Sequence, residues 1–205
     1  MVAQLPDEVL ARRAALPKKP AGVSLSNERV TLRPLELARD LDALFTVASE
    51  ADWIWQYMFA GPFADEDALG AWLRGTIDAP DALPFTVFAG GAAVGVACYV
   101  ANAPEHLKIE LGSIWYGPRV HGTGVSPAAT YLLIDHAIAL GYRRVEWKCD
   151  ALNERSRRAA TRMGFTFEGV QDAHLIVKNR NRDTAWFRIL DHEWPAIAPR
   201  LKGLF

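Results

Sequence analysis

The segment at residues 82–104 constrains the fold more than any other, because it contains no charged residue over a length that could span a membrane. A proline and three glycines interrupt it, and two of these glycines, Gly90 and Gly91, lie near its middle. A Gly-Gly pair between segments rich in Val and Phe is typical of a hairpin turn and would break a membrane helix. We therefore predict a buried β-hairpin with strands at 85–89 and 94–100.

Apolar spacing in the rest of the chain predicts further strands and helices. The strands lie at 29–33, 108–116, 143–149, 165–177 and 184–190, and the helices at 39–50, 65–77, 126–140 and 153–163. Ser126 and Pro127 are expected to begin the third of these helices, and Gly141 to end it. Only the connection through that helix needs a parallel crossover. The order therefore predicts an α+β fold with a mixed, mostly antiparallel seven-stranded sheet and helices on both faces.

Composition limits the classes of partner. The 205 residues are 50% hydrophobic, which suits one domain with a sizeable core. Because 23 Lys and Arg nearly balance 24 Asp and Glu, we expect no basic face that would hold nucleic acid or an anionic membrane. Two cysteines, Cys98 and Cys149, and five scattered histidines form neither a disulfide framework nor a metal-ligand spacing. We expect a reducing cytoplasm and no metal.

The first 27 residues are expected to lie outside the main domain. Prolines and lysines at 17–20 separate a short possible helix from the strand that follows. This segment lacks the apolar stretch of a secretory signal and carries acidic residues early, so no export signal is expected. The predicted organisation is an N-terminal extension at 1–27 and one domain at 28–205.

A glycine-rich turn between the strand at 108–116 and the helix at 126–140 carries the clearest chemical signal. Two glycines at such a junction expose successive backbone N–H groups at a helix N-terminus, which is an arrangement that binds phosphate. A plain connection without a ligand is the alternative. The Gly-Lys-Ser/Thr of a P-loop is missing, and a dinucleotide fingerprint would have Pro127 in place of its third glycine and Glu146 for the ribose. The turn consists of Arg119, Val120, His121, Gly122, Thr123 and Gly124.

This RxxGxG turn resembles the acyl-CoA pyrophosphate loop of the GNAT superfamily of N-acetyltransferases. A second similarity follows at the spacing that the family uses, with Asn153 and Ser156 in an NxxS segment and Gly164 in a following Gly-Phe pair. The segments 168–169 and 182–187 resemble the RimJ/RimL branch, which modifies protein N-termini. The resemblance covers roughly residues 28–194 and implies splayed central strands at 108–116 and 143–150.

The resemblance implies a set of binding residues. Acetyl-CoA, or another short acyl-CoA, would be held by residues 119–124, with its pantetheine arm between the splayed strands. Asn153 would form a hydrogen bond on the pantetheine side of the cofactor or cap a helix, and the two roles are compatible. Aromatic residues of the early helical region would shape the acceptor pocket, although such residues are also common in cores; they are Trp53, Trp55 and Tyr57.

The resemblance also implies catalytic residues. Ser156 would protonate the leaving thiolate, and its alternative is a solvent-facing helical serine. Glu110 or His174 would assist deprotonation of the amine, whereas each could instead have a structural role. An acyl-enzyme on Cys149 is disfavoured, because no histidine is near it in sequence.

We expect an N-acyltransferase that acts directly on a protein N-terminus or a small amine. The remaining alternatives are transfer of a succinyl or other short acyl group, a non-catalytic acyl-CoA-binding module, and a nucleotide-binding protein. A homodimer is a further expectation.

Overall fold

The hairpin predicted within the uncharged segment is present in the computed structural model, which describes residues 4–205. Gly90 and Gly91 join its strands at φ angles of 57° and 82°, which glycine adopts without strain. The strands of the whole sheet are β1 (Leu25–Ser26), β2 (Thr31–Pro34), β3 (Leu83–Ala89), β4 (Ala92–Ala103), β5 (Lys108–Tyr116), β6 (Arg144–Asp150), β7 (Thr166–Val177) and β8 (Arg180–Leu190).

The sheet has the order β1-β2-β3-β4-β5-β6-β8-β7, in which only β5 and β6 pair in parallel. The prediction of a mixed, mostly antiparallel sheet is therefore confirmed. Its strand number is corrected from seven to eight, because Leu25 and Ser26 pair with Leu32 and Thr31. Two residues are too short for an alternating apolar pattern, so β1 has no signal in the sequence.

Helices cover both faces of the sheet, as predicted. They are α1 (Asp7–Ala15), α2 (Leu37–Ala48), α3 (Glu66–Asp78), α4 (Val125–Leu140), α5 (Glu154–Arg162) and α6 (Trp194–Lys202). The apolar helix α4 buries Leu133 and Ile134 against the strands, within a core that also contains Ala160 of α5. On the opposite face, α2 and α3 bury Leu44 and Leu69 in a second core.

The two parallel strands separate partway along their length, as the splayed-strand prediction requires. They pair over four residues, ending with Leu111 opposite Trp147, although both strands continue beyond this pair. Ser113 has a φ of 49°, and β5 changes register against β4 between Gly112 and Trp115. A bulge of this kind bends a strand, so β5 diverges from β6 and leaves a V-shaped opening.

The segment before β1 packs on the domain through α1 and the residues after it. Arg12 forms an ion pair of 2.8 Å with Asp191, and the Asn102 side chain donates to the carbonyl oxygens of Pro17 and Lys18 at 2.9 and 2.8 Å. Residues 1–3 of the predicted extension lie outside the described residues, and a boundary at residue 27 stays a prediction. Within residues 4–205, no helix is long and apolar enough to cross a membrane.

Candidate active site

The glycine-rich turn leads directly into α4. This helix begins at Val125, with Gly124 as its cap at a φ of 88°, and the first helical hydrogen bond runs from Ala128 N to Gly124 O at 3.0 Å. The predicted cap at Ser126, with Pro127 as the first helical residue, is therefore wrong by two residues: Gly124, in the left-handed conformation, takes the cap position instead of a serine hydroxyl. Gly141 ends it in the left-handed conformation, as predicted.

The start of α4 presents a group of unpaired backbone donors. Within the described chain, the N–H groups of Gly122, Gly124, Val125 and Ser126 have no hydrogen-bond acceptor. Gly122 has a φ of 76°, and a Cβ there would meet no atom within 4 Å. Pro127 contributes no N–H. Together with the positive end of the helix dipole, these donors form a concavity with the polarity that suits an anion.

This concavity opens into a cleft of about 600 Å³ at the divergence of β5 and β6. Its walls are the turn before α4, parts of the two strands, one side of α5, and residues 53, 54 and 56–58. Val120, His121, Gly122, Gly124 and Asn153 of the predicted binding residues line it.

Two predicted loop residues have other contacts and are not in the cleft wall. The Arg119 side chain is 84% exposed and pairs with Glu50 at 3.2 Å. Thr123 directs its hydroxyl to Val120 O at 2.8 Å. The role of Arg119 and Thr123 in holding the cofactor stays a prediction.

Asn153 and Ser156 hold the first turn of α5 at the other wall. Asn153 Oδ1 accepts a hydrogen bond of 3.1 Å from Ser156 N, which is the capping role that the sequence analysis gave as an alternative. Trp147 Nε1 donates to Ser156 Oγ at 3.0 Å, and all three residues line the cleft. Because the indole N–H uses one acceptor position of Ser156 Oγ, the hydroxyl proton is not engaged by Trp147. The hydroxyl also lies within hydrogen-bond reach of the Cys149 thiol, where it opposes the rise in pKa that burial causes.

Glu110 lies on the sheet face opposite α4 and α5, in a network of ion pairs. Its Oε2 is 2.7 Å from Lys148 Nζ, which is also 3.8 Å from Glu146. Burial raises the pKa of Glu110, and Lys148 opposes that rise. Burial would also raise the pKa of Glu146, but the hydrogen bond from Arg144 and the charges of Lys108 and Lys148 hold it below its usual range. We call this side of β5, β6 and β8 the charged face.

Of the remaining predicted residues, two line the cleft, one is in the core and one lies elsewhere on the sheet. Trp53 and Tyr57 line the cleft, and Trp53 also packs edge-on against His121 at 5.0 Å between ring centres. Trp55 is fully buried and donates to Ala48 O at 2.9 Å, so its predicted contact with the acceptor is corrected to a core role. His174 lies outside the cleft wall, where its Nδ1 is 2.9 Å from Thr184 Oγ1.

Several site residues were missed by the sequence analysis. The cleft and an adjoining crevice are lined by Arg155, Arg158 and Arg162, whose helical spacing places them along one side of α5 and is visible in the sequence. Trp147 and Lys148 carried no such local signal, because their partners come from other elements. Across the described residues, no group of three His, Cys, Asp or Glu side chains is arranged to hold a metal ion.

Comparison with known proteins gives consistent matches to acetyltransferases. The model of the family described as "Acetyltransferase (GNAT) domain" matches residues 29–166. A solved GCN5-related N-acetyltransferase from Brucella melitensis is 36% identical, with a TM-score of 0.87, and the match covers 92% of this chain and 88% of that one. A probable acetyltransferase (GNAT family) from Chromobacterium violaceum is 38% identical, with a TM-score of 0.83 and coverage of 86% and 90%.

A curated relative points to one branch of these enzymes. The putative ribosomal N-acetyltransferase YdaF of Bacillus subtilis is 33% identical over 88 residues. The match covers 42% of this chain and 48% of the relative, so the chain spans about half of that protein's length. The similarity supports the RimJ/RimL-like branch that segments 168–169 and 182–187 had indicated.

Proposed function

Because this chain belongs to the GNAT family of acetyltransferases, we propose that it transfers the acetyl group of acetyl-CoA directly to a primary amine, on a protein N-terminus or a small molecule. The observation that carries the proposal is the set of unpaired backbone N–H groups at the start of α4, open to a cleft between diverging strands. These donors fit the pyrophosphate of acetyl-CoA, and the cleft fits its pantetheine arm. Acetyl-CoA supplies the activated thioester carbonyl.

Ser156 is the proposed proton donor to the sulfur leaving group. Its hydroxyl faces the cleft, and its position is fixed by the bond from Trp147 and by the capped first turn of α5. Cys149 is unsuited to carry the acetyl group, because it is buried and burial raises the pKa of its thiol. These two observations support transfer without an acyl-enzyme.

Glu110 is the preferred base for the acceptor amine. Its raised pKa makes it a better proton acceptor than an ordinary carboxylate, although it lies outside the cleft wall and would act through a water molecule. An α-amine of pKa near 7.8 needs little help at neutral pH, whereas a lysine amine near 10.4 needs more. His174 is the second candidate, on the neighbouring part of the sheet.

The acceptor is proposed to enter beside residues 53–58, with Trp53 and Tyr57 on the wall. The name of the Bacillus subtilis relative, a putative ribosomal N-acetyltransferase, supports an amine of a ribosomal protein as acceptor. A cytoplasmic location and a homodimer remain expectations of the sequence analysis.

Calorimetric titration with acetyl-CoA, succinyl-CoA, free CoA and NAD tests the proposal. We expect acetyl-CoA and free CoA to bind in the micromolar range and NAD not to bind, since the donors at α4 match a pyrophosphate next to a cleft for a linear arm. Thiol release from acetyl-CoA is then measured over a panel of amines. Binding of NAD alone, or of none of the four, would overturn the proposal; binding without thiol release would favour a non-catalytic module.

A further inference from the structure

Arg182, on the charged face, differs from the other arginines there. Arg182 is only 5% exposed. Its guanidinium nevertheless forms no ion pair or hydrogen bond with any residue in 4–205, and its buried Nε has no acceptor. By contrast, Arg144 pairs with Glu146 at 2.7 Å and Arg188 pairs with Glu193. Arg182 is therefore a buried cation without a bonded counter-ion.

Such a cation is costly to keep, because burial removes its hydration and no direct partner compensates. Burial accordingly lowers the pKa of Arg182, against the opposing negative charges of Asp150 and Glu110. The guanidinium instead lies over the ring of Phe59, at 4.5 Å from the ring centre. A fold that retains an unpaired buried cation is typical of a site where a ligand supplies the missing anion.

The register of the sheet places Arg182 on the same face as Glu110, the proposed base. Asp150 pairs with Thr184 at the end of β6, and Glu110 pairs with Glu146 of the same strand, so the alternation of side chains puts Arg182 and Glu110 on one face. That face is opposite α4 and α5. Arg182 lies two residues beyond the last pair of β6 with β8.

We propose that Arg182 binds a carboxylate on the acceptor, so that the preferred substrates are amines that carry a carboxylate near the amino group. The proposal rests on the proposed acetyl transfer. The carboxylate could belong to a free amino acid or to an acidic side chain at a protein N-terminus. Polycationic amines are disfavoured, because they would bring positive charge toward an unpaired guanidinium.

Matched pairs of acceptors test this proposal and separate its two sources. One pair is alanine and alaninamide; the other is the dipeptide amides Ala-Glu-NH2 and Ala-Gln-NH2. With kcat/KM expressed per concentration of unprotonated amine, we expect that of the carboxylate-bearing acceptor to exceed that of the amide roughly 10- to 100-fold for at least one pair, which is the range for a hydrogen-bonded charged group. The pair that shows the preference identifies the source.

The variant Arg182→Met should reduce this ratio to about one, because it removes the guanidinium charge and keeps an apolar, unbranched side chain. Arg188→Met is the matched control on the same face, and it should keep the wild-type ratio. Thermal unfolding gives a second measurement. Arg182→Met should keep or raise the Tm, since it removes an uncompensated charge, whereas Arg188→Met should lower it by breaking an ion pair with Glu193.

Equal kcat/KM values for both acceptors in both pairs would overturn the proposal, as would an undiminished ratio in Arg182→Met. A fall in the Tm of Arg182→Met, with the ratio unchanged, would assign Arg182 a structural role. If no amine at all releases thiol from acetyl-CoA, the proposed acetyl transfer fails instead, and this result is distinct because it precedes any comparison of acceptors.

Discussion

The two sides of the divergence between β5 and β6 present different kinds of polar group. At the start of α4, the outward-facing groups are backbone N–H donors from a few consecutive residues. On the charged face, they are ionised side chains from three strands, with Glu110 on β5, Lys148 on β6 and Arg182 on β8. The first side has a fixed polarity, whereas the second has groups whose charge and pairing can change.

This difference indicates that the two sides have separate roles, one in binding the cofactor and the other in proton transfer. Backbone donors cannot titrate, so anion binding at α4 should vary little with pH across the neutral range. The pKa of Glu110 depends on burial and on Lys148, so proton transfer on the charged face should depend on pH and on single side chains. Substitutions on the two sides should therefore separate cofactor binding from turnover.

The largest expected effect is loss of acyl-CoA binding in Gly122→Glu. A carboxylate would enter the group of N–H donors and repel the phosphates, so calorimetry should detect no binding of free CoA under conditions where the wild type binds. The site has open space for the side chain, but its φ of 76° adds backbone strain of about 1–2 kcal/mol.

Gly91→Glu is the matched control, because Gly91 has a φ of 82° and equally open surroundings in the β3–β4 turn. It introduces the same charge and similar strain far from α4, so its CoA affinity should equal that of the wild type. If both variants lose binding, strain rather than charge at the loop is responsible, and the backbone-donor argument is wrong.

The same contrast explains how much the sequence could predict. The turn at 119–124 is local, so its glycine spacing identified it, and the strands and amphipathic helices followed from their apolar periods. The two-residue β1 has no period. Trp53 and Trp55 are both tryptophans of one short 3₁₀ turn, and only the path of the backbone decides that the first faces the cleft while the second is buried.

The charged face could not be predicted in this way, because its contacts join residues far apart in the chain. Glu110 was identified through family resemblance, but its ion pair with Lys148 depends on the parallel register of β5 and β6. The unpaired state of Arg182 is a property of all its neighbours together. A charged residue in a strand pattern gives no indication of whether a partner lies within 4 Å.

An intermediate effect is expected from Glu110→Gln, which removes the proposed base. With a lysine-type acceptor, kcat at pH 7 should fall about 100-fold while CoA affinity is retained, since the amine there is almost entirely protonated. Glu146→Gln is the matched control: Glu146 is a carboxylate on the same face, already paired with Arg144, and should give a much smaller fall. Equal losses in the two variants would remove Glu110 from its proposed role.

The pH dependence of kcat/KM tests the role of Glu110 through the direction in which its pKa shifts. Lys148 lowers the pKa of Glu110, so Lys148→Met should raise that pKa further. A base with a higher pKa loses activity at a higher pH, because it becomes protonated sooner as the pH falls. The acidic limb of the kcat/KM profile should therefore shift upward in Lys148→Met and disappear in Glu110→Gln. A limb that stays in place in both variants would report another group.

The smallest expected effect is that of Ser156→Ala on the cofactor side. Turnover should fall about tenfold with CoA affinity unchanged, because a thiolate with a conjugate acid of pKa near 8.5 is a good leaving group and needs only partial protonation. The measurement is kcat from thiol release beside calorimetry of free CoA. Trp147→Phe separates proton donation from positioning: it removes the bond to Ser156 Oγ but keeps the hydroxyl. If Ser156 donates its proton, the Trp147→Phe variant should retain most of the wild-type turnover. Equal losses of turnover in Ser156→Ala and Trp147→Phe would mean that the hydroxyl serves only to orient the indole in the cleft wall.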